Sequence, residues 1–266
     1  MSILEEILLH KAQEVRERRK IVSEKSLQGS LYFEKPIVSM SAHLRREDRV
    51  GIISEIKRSS PSEGSINDQI DVQQLSTGYI HAGATALSVL SDHKYFGGTL
   101  DDVLTARKFN NCPILRKEFI IDEYQLLEAR SVGADCILLI AAALPEKRCN
   151  ELADFAKSIG LEVLLEVHNK QEIERHISAS VDVVGVNNRN LHNFTTSIQT
   201  SIELSEYIPD EFVKISESGI TKAAHIVELK KYGFEGFLIG THFMNHQQPN
   251  LACAKLIEEV KKLEQQ

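Results

Sequence analysis

Short runs of consecutive apolar residues recur along the chain, and longer segments of mixed polarity separate them. A run that is apolar at every position is typical of a strand buried on both faces, as in parallel sheets. The pattern predicts eight strands, one beginning at Ile52 and the others at Ala86–Leu90, Pro113–Lys117, Cys136–Ile140, Val163–Val167, Val181–Asn187, Phe212–Glu217 and Gly236–Gly240. Helices separate these strands, and a last helix follows near Leu251–Leu263.

Glycines mark a repeat in this pattern. Gly83, Gly133, Gly160 and Gly233 each follow the end of a helical segment and precede an apolar run. Glycine suits the left-handed residue that closes a helix. The glycines are 50, 27 and 73 residues apart, which corresponds to two, one and three strand–helix units of about 25 residues. The repeat therefore predicts an α/β fold, a (β/α)8 TIM barrel. The alternative is an open doubly wound sheet, which the lack of a GxGxxG segment after the first strand disfavours.

Helical spacing also precedes the first strand. Ser2 and Glu5 form a capping box, and an apolar stripe follows at Ile3, Leu4, Ile7, Leu8, Ala12 and Val15. We expect a single domain over residues 1–266, with an N-terminal helical extension at 1–48 and the barrel at 49–266. The sequence leaves open whether the extension covers the bottom of the barrel or reaches over its top. Within the barrel, Asp71, Thr99, Asp122 and Thr221 are predicted helix caps.

The composition of the chain limits the kinds of binding partner and the cellular location that we expect. The 266 residues are 42% hydrophobic and 26% charged, and the net charge of -7 disfavours a nucleic-acid surface. Apolar runs stay far below the ~20 residues of a membrane span, and the first residues lack a signal-peptide core. The four cysteines have neither CxxC spacing nor a shared context, so we expect neither disulfides nor a metal site. We therefore expect a cytoplasmic protein that binds neither nucleic acid nor membranes.

Polar residues collect at the carboxyl ends of the predicted strands, where barrel enzymes place their chemistry. Glu55 and Lys57, two residues apart, share one face of the first strand. The polar residues at the ends of later strands are Lys117, Glu166, Asn187, Arg189, Glu217 and Ser218. Each alone has a structural explanation, as an ion pair, a solvated rim charge or a turn residue. Their concentration at one end of most strands favours an active site. His168 is expected to be a solvated loop residue.

Two strand ends contain glycine, in Ser216–Ile220 and Leu238–His242. The loops after strands seven and eight often bind phosphate in this fold, because backbone N–H groups can approach the anion there. Glycines needed only for tight turns are the alternative. The charged set lacks a nucleophile triad and a His/Cys ligand set, which favours proton transfer on a carbonyl or enamine of a phosphorylated small molecule without a cofactor. A Schiff-base aldolase and a sugar-phosphate sensor stay open. The loop from Arg58 to Asn67 is expected to close over the substrate.

Five segments carry a family resemblance that extends over nearly the whole chain. Ile53–Ser62, Leu115–Ile120, Leu165–His168, Gly185–Leu191 and Ser216–Ile220 resemble, in this order, the motifs of the indole-3-glycerol phosphate synthase family. The resemblance implies cofactor-free ring closure of 1-(2-carboxyphenylamino)-1-deoxyribulose 5-phosphate, with loss of CO2 and water, in tryptophan biosynthesis. A monomer is the family expectation.

The resemblance also implies residue roles. Lys117 is similar to the general acid of the family, and Glu166 to the carboxylate that assists loss of the hydroxyl. Lys57 is similar to a lysine that lies near the substrate carboxylate and is held in place by Glu55. The division of acid–base work between the two lysines is left open. Asn187, Arg189, Glu217 and Ser218 resemble residues that orient the substrate. Ser60 and the backbones of Gly219, Gly240 and Thr241 resemble a phosphate cradle, and Phe96 and Phe119 resemble the pocket of the anthranilate ring. Thr241 stands where serine is frequent.

Overall fold

Eight parallel strands close into a barrel in the computed structural model, which describes residues 2–190 and 195–265. The strands are β1 (Ile52–Ile56), β2 (Ala86–Leu90), β3 (Ile114–Lys117), β4 (Cys136–Ile140), β5 (Glu162–Val167), β6 (Val183–Asn187), β7 (Val213–Glu217) and β8 (Phe234–Ile239). Each pairs with its neighbours in sequence, and β1 pairs with β8 through Ile52 and Phe237. The predicted TIM barrel is confirmed. Leu191, the last residue of one motif named above, lies outside the described residues.

Helices precede β1 and follow each strand of the barrel. They are α1 (Ile3–Ile21), α2 (Glu24–Gln28), α3 (Met40–Leu44), α4 (Val72–His81), α5 (His93–Phe96), α6 (Leu100–Phe109), α7 (Glu123–Ser131), α8 (Glu146–Ser158), α9 (Lys170–His176), α10 (Gln199–Leu204), α11 (Ala223–Lys230), α12 (Thr241–Met244) and α13 (Pro249–Glu264). The four punctuating glycines have φ between +79° and +101°, as a left-handed helix end requires. A small hairpin of Ser59–Ser60 and Gly64–Ser65 follows β1.

Three of the four predicted caps are confirmed. The carboxylate of Asp71 and the hydroxyl of Thr99 accept hydrogen bonds from Gln74 and Asp102, and Asp122 forms a capping box with Gln125. The prediction for Thr221 was wrong. Lys222, with an extended backbone, takes the N-cap position, so the helix begins one residue later than a Thr221 cap would place it.

The N-terminal extension covers both ends of the barrel. At the bottom, Met40 and Leu44 of α3 pack into the barrel interior with Ile53 and Ala86. Glu162, at the start of β5, accepts hydrogen bonds from the N–H groups of Met40 (2.5 Å) and Ser41 (3.1 Å), which fastens α3 there. At the top, the first turn of α1 reaches the cavity described below. The structure thus answers the question that the sequence left open.

All four cysteines are buried and free. Among the described residues, no helix is both long enough and apolar enough to cross a bilayer.

Candidate active site

One cavity of about 660 Å³ opens at the carboxyl ends of the strands. Every residue that the sequence nominated lines it, namely Glu55, Lys57, Ser60, Phe96, Lys117, Phe119, Glu166, Asn187, Arg189, Glu217, Ser218, Gly219, Gly240 and Thr241. The barrel produces this convergence, because parallel strands bring their carboxyl ends to one rim while the chain between them runs outside. Strand register adds a direct link: Asn187 of β6 is paired with Glu217 of β7.

Lys117 lies at the centre of the charged set. Its Nζ is 3.3 Å from Glu166 Oε2 and also contacts Glu217 Oε2. Burial disfavours the charge on this lysine, but the two carboxylates outweigh burial and raise the pKa of Lys117. The side chain is therefore an ammonium group at neutral pH, able to donate a proton from a position that is only 13% exposed.

The two carboxylates beside Lys117 differ in their environments. Burial raises the pKa of Glu217 to about 7, although the ammonium group of Lys117 opposes the rise. For Glu166, burial acts in the same direction, but Lys117, His168 and a hydrogen bond of 3.2 Å from Asn187 Nδ2 together lower the pKa. Two carboxyl groups whose pKa values are driven apart can hold different protonation states near neutral pH.

Glu55 and Lys57 form the second charged pair of the site. The Lys57 Nζ is 3.1 Å from Glu55 Oε1, and both side chains are about one-tenth exposed or less. Glu55 packs directly against Gly240, where a β-carbon would lie 2.3 Å from Glu55 Oε1. Gly240 is therefore a glycine for reasons of space. The predicted same-face pair is confirmed, and it lies next to the loop after β8.

One side of the cavity is apolar and aromatic. The Phe96 and Phe119 rings are 6.0 Å apart between centroids. Ile3, Leu4 and Ile7 of α1 line the same cavity, as do Leu138 and Ile140 of β4. This wall is suited to a flat aromatic ring.

The opposite side consists of the loops after β7 and β8. Ser218 has φ +68° and Gly219 has φ +74°; a left-handed serine is held only where its surroundings fix it. Asn188 supplies that restraint, because its Nδ2 donates to Ser218 O (3.0 Å) and Ser216 Oγ (2.9 Å). The hairpin loop after β1 reaches this side too, since Thr241 Oγ1 donates to Glu63 Oε2 (2.8 Å) and Arg189 donates to Ser62 Oγ.

Sequence reasoning missed some residues of the site. His168 was expected to be solvated, which was wrong: its side chain is 11% exposed, with Nε2 3.5 Å from Glu166 Oε1 and Nδ1 3.4 Å from Glu172 Oε2. Burial opposes the charge on this imidazole, but these two carboxylates raise its pKa. Alternation along a strand places residues 166 and 168 on one face, so the signal was available. Ile3, Leu4 and Ile7 were assigned to a helix but not to the cavity.

The comparisons with known proteins agree with the motifs. The family model described as indole-3-glycerol phosphate synthase matches residues 4–256. The indole-3-glycerol phosphate synthase of Bacteroides thetaiotaomicron is 43% identical over 97% of this chain and 99% of its own length. That of Laribacter hongkongensis is 39% identical over 96% and 98% of the two chains.

Solved structures support the fold alone. A mutant tryptophan synthase alpha-subunit from Pyrococcus furiosus superposes with a TM-score of 0.62 at 16% identity and covers 80% of this chain and 98% of its own. Among the described residues, no group of three or more His, Cys, Asp or Glu side chains is placed to hold a metal ion. The family match and the near-full-length relatives together show that the chain belongs to the indole-3-glycerol phosphate synthase family, the carboxy-lyases that form the indole ring in tryptophan biosynthesis.

Proposed function

We propose that this cavity closes the ring of 1-(2-carboxyphenylamino)-1-deoxyribulose 5-phosphate to indole-3-glycerol phosphate, releasing CO2 and water without a cofactor. One observation carries the proposal: a buried ammonium group, that of Lys117, stands between two carboxylates in a cavity with an aromatic wall and a glycine-rich wall. The substrate has the same polarity, since an anthranilate ring forms one end and a phosphate group the other.

The two walls orient the substrate. The anthranilate ring lies against Phe96 and Phe119, and the phosphate group is bound by Ser60 and by the backbone at Gly219, Gly240 and Thr241. Ser60 is itself buried, so its hydroxyl is held at the cavity rather than in bulk water. In this orientation the ketone of the sugar chain lies between the two ends, next to the carboxylate-bound lysine.

Lys117 acts as the general acid in ring closure. The aromatic carbon that bears the carboxylate attacks the ketone carbon, and Lys117 Nζ protonates the ketone oxygen as it becomes a hydroxyl. The raised pKa of Lys117 keeps the ammonium form populated before the step. The neighbouring carboxylates hold Nζ in position, which reduces the entropy cost of the proton transfer.

Loss of CO2 then restores the aromatic ring. Lys57, whose Nζ is held 3.1 Å from Glu55 Oε1, lies near the leaving carboxylate. The apolar wall solvates that carboxylate poorly and so favours its departure. In the last step the hydroxyl departs together with a proton from the adjacent ring carbon, and Glu166 assists by accepting this proton and passing it to the departing hydroxyl, which leaves as water. Asn187 and Arg189 orient the substrate, together with Ser218 and Glu217. In the described part of the chain no donor reaches Glu217 Oε1, so this oxygen is available to a substrate hydroxyl.

A fluorescence assay tests the proposal. Purified chain mixed with the synthetic substrate, in buffer containing a chelator and no added cofactor, should generate indole fluorescence and one CO2 per indole. Binding without any indole signal would support a sugar-phosphate sensor instead. A borohydride-stable adduct between a lysine and a phosphorylated ketose would support a Schiff-base aldolase.

We also propose that the chain acts as a monomer in the cytoplasm. All the nominated residues come from one chain and line one cavity, so catalysis does not call for a second subunit. Light scattering coupled to gel filtration measures the mass directly; a dimer mass at assay concentration would contradict the monomer.

A further inference from the structure

Lys11 is a buried lysine in the extension, far in sequence from the barrel motifs. Its side chain is 1% exposed, and its Nζ contacts Glu14 Oε2 (2.9 Å), Asp92 Oδ2 (2.9 Å) and Glu118 Oε1 (3.0 Å). Burial opposes its charge, but these carboxylates outweigh burial and raise the pKa of Lys11. A lysine is seldom buried so completely, so the partners of this ammonium group indicate its purpose.

Two of those partners hold the backbone of the aromatic wall. Asp92 accepts a hydrogen bond from the N–H of Tyr95 (2.7 Å) and caps α5, whose last residue is Phe96. Glu118 accepts a hydrogen bond from the N–H of Phe119 (2.9 Å). A single ammonium group therefore joins the two carboxylates that hold the backbone beside the two neighbouring phenyl rings.

The rest of α1 strengthens this connection. Glu6 accepts a hydrogen bond from the Tyr95 hydroxyl (3.0 Å), and the His10 ring packs edge-on against the Tyr95 ring. The first two turns of the same helix supply Ile3 and Ile7 to the cavity. The extension thus lines part of the cavity and also contacts α5, the helix that carries Phe96.

We propose that Lys11 is a positioning residue for the anthranilate end of the cavity: it holds Asp92 and Glu118 together and so fixes the spacing of Phe96 and Phe119. The inference rests on the proposed function. Without the ammonium group, two buried like charges repel each other, and the two rings lose their common anchor. The phosphate end has its own supports and is unaffected. Lys11 therefore governs recognition of the aromatic moiety rather than of the phosphate.

The experiment compares Lys11→Met with Arg19→Met. Arg19 also joins α1 to the barrel, because it contacts Asp122 at 2.6 Å. Neither Lys11 nor Arg19 lines the cavity. Lys11→Met should raise the KM of the substrate and the Kd of anthranilate about tenfold, with the Kd of inorganic phosphate unchanged. Arg19→Met should leave all three constants at their wild-type values. A lower melting temperature with wild-type KM and anthranilate affinity would overturn the proposal and leave Lys11 a purely structural residue.

Two further variants keep the test decisive. If Lys11→Met does not fold, the double variant Lys11→Met with Asp92→Asn removes the like-charge repulsion. Its amide oxygen can still accept the hydrogen bond from the Tyr95 N–H that caps α5. The weaker binding of anthranilate should persist in this double variant. Lys11→Arg, which keeps the charge, should restore part of the affinity. Failure of the proposed function is distinguishable, because the wild-type chain would then form no indole, whereas failure of the Lys11 proposal leaves wild-type activity intact.

Discussion

Gly185 offers a way to displace the carboxylate of Glu217, which contacts Lys117, without substituting Glu217 itself. Gly185 lies in β6 beside Glu217, and a β-carbon there would be 2.4 Å from Glu217 Oε1. Ordinary van der Waals contact begins near 3.4 Å. In Gly185→Ala the carboxylate must therefore retreat by about 1 Å, since close-packed interiors tolerate little overlap.

The surroundings direct that movement onto the side chain. Gly185 is paired with Glu166 on one side and with Ile215 on the other, so its backbone is held by both neighbouring strands. Glu217 is 2% exposed and bound to Lys117, so its displacement also shifts Lys117, the proposed general acid. A misplacement of about 1 Å can lower a rate about 100-fold, which corresponds to about 3 kcal/mol of transition-state stabilisation.

Steady-state indole fluorescence measures this effect. Gly185→Ala should lower kcat about 100-fold with a small change in KM, while circular dichroism shows a folded barrel. Gly29→Ala is the matched control, because the atom nearest to its new β-carbon would be Lys25 O at 3.5 Å, an ordinary contact. A folded Gly185→Ala enzyme with kcat within threefold of wild type would refute the inferred geometry of Lys117, Glu166 and Glu217.

Two other substitutions probe the charge and the phosphate loop. Glu217, with a pKa of about 7 against an ordinary 4.5, binds its proton more tightly when folded than unfolded, so its contribution to stability is full below pH 4.5 and declines as the pH rises through 7. The urea midpoint should consequently fall more between pH 5 and pH 8 in wild type than in Glu217→Gln; equal falls would contradict the assignment. Asn188→Ala removes the donor that holds Ser218 in its left-handed conformation and should cost about 1–3 kcal/mol of unfolding free energy and weaken inorganic phosphate binding, measured by denaturation and calorimetry. Wild-type phosphate affinity in this variant would show that the loop does not depend on Asn188.

Much of the fold was predictable because each strand carries its own signal. Runs such as Cys136–Ile140 are apolar at every position, and glycines such as Gly133 mark the preceding helix end. A parallel barrel then gathers the strand ends at one rim, so the sequence alone assigns residues as distant as Glu55 and Lys117 to one cavity.

The remaining features depend on tertiary packing. An apolar stripe on α1 is the same whether the helix covers the top or the bottom of the barrel, so its place over the cavity had no local signal. Two partners of Lys11, Asp92 and Glu118, lie more than eighty residues away in sequence, and their approach follows from where α1 docks. The left-handed backbone of Ser218 depends on Asn188 in the preceding strand–loop unit.

The central claim is that Lys117 supplies the proton for ring closure, and the turnover of Lys117→Met tests it most directly. Lys214→Met is the matched control, because Lys214 is also buried but pairs with Asp210, and neither residue lines the cavity. With the synthetic substrate, Lys117→Met should lower kcat about 1,000-fold or more with a modest change in KM, while Lys214→Met keeps its turnover. Near-wild-type turnover in a folded Lys117→Met enzyme would contradict the account.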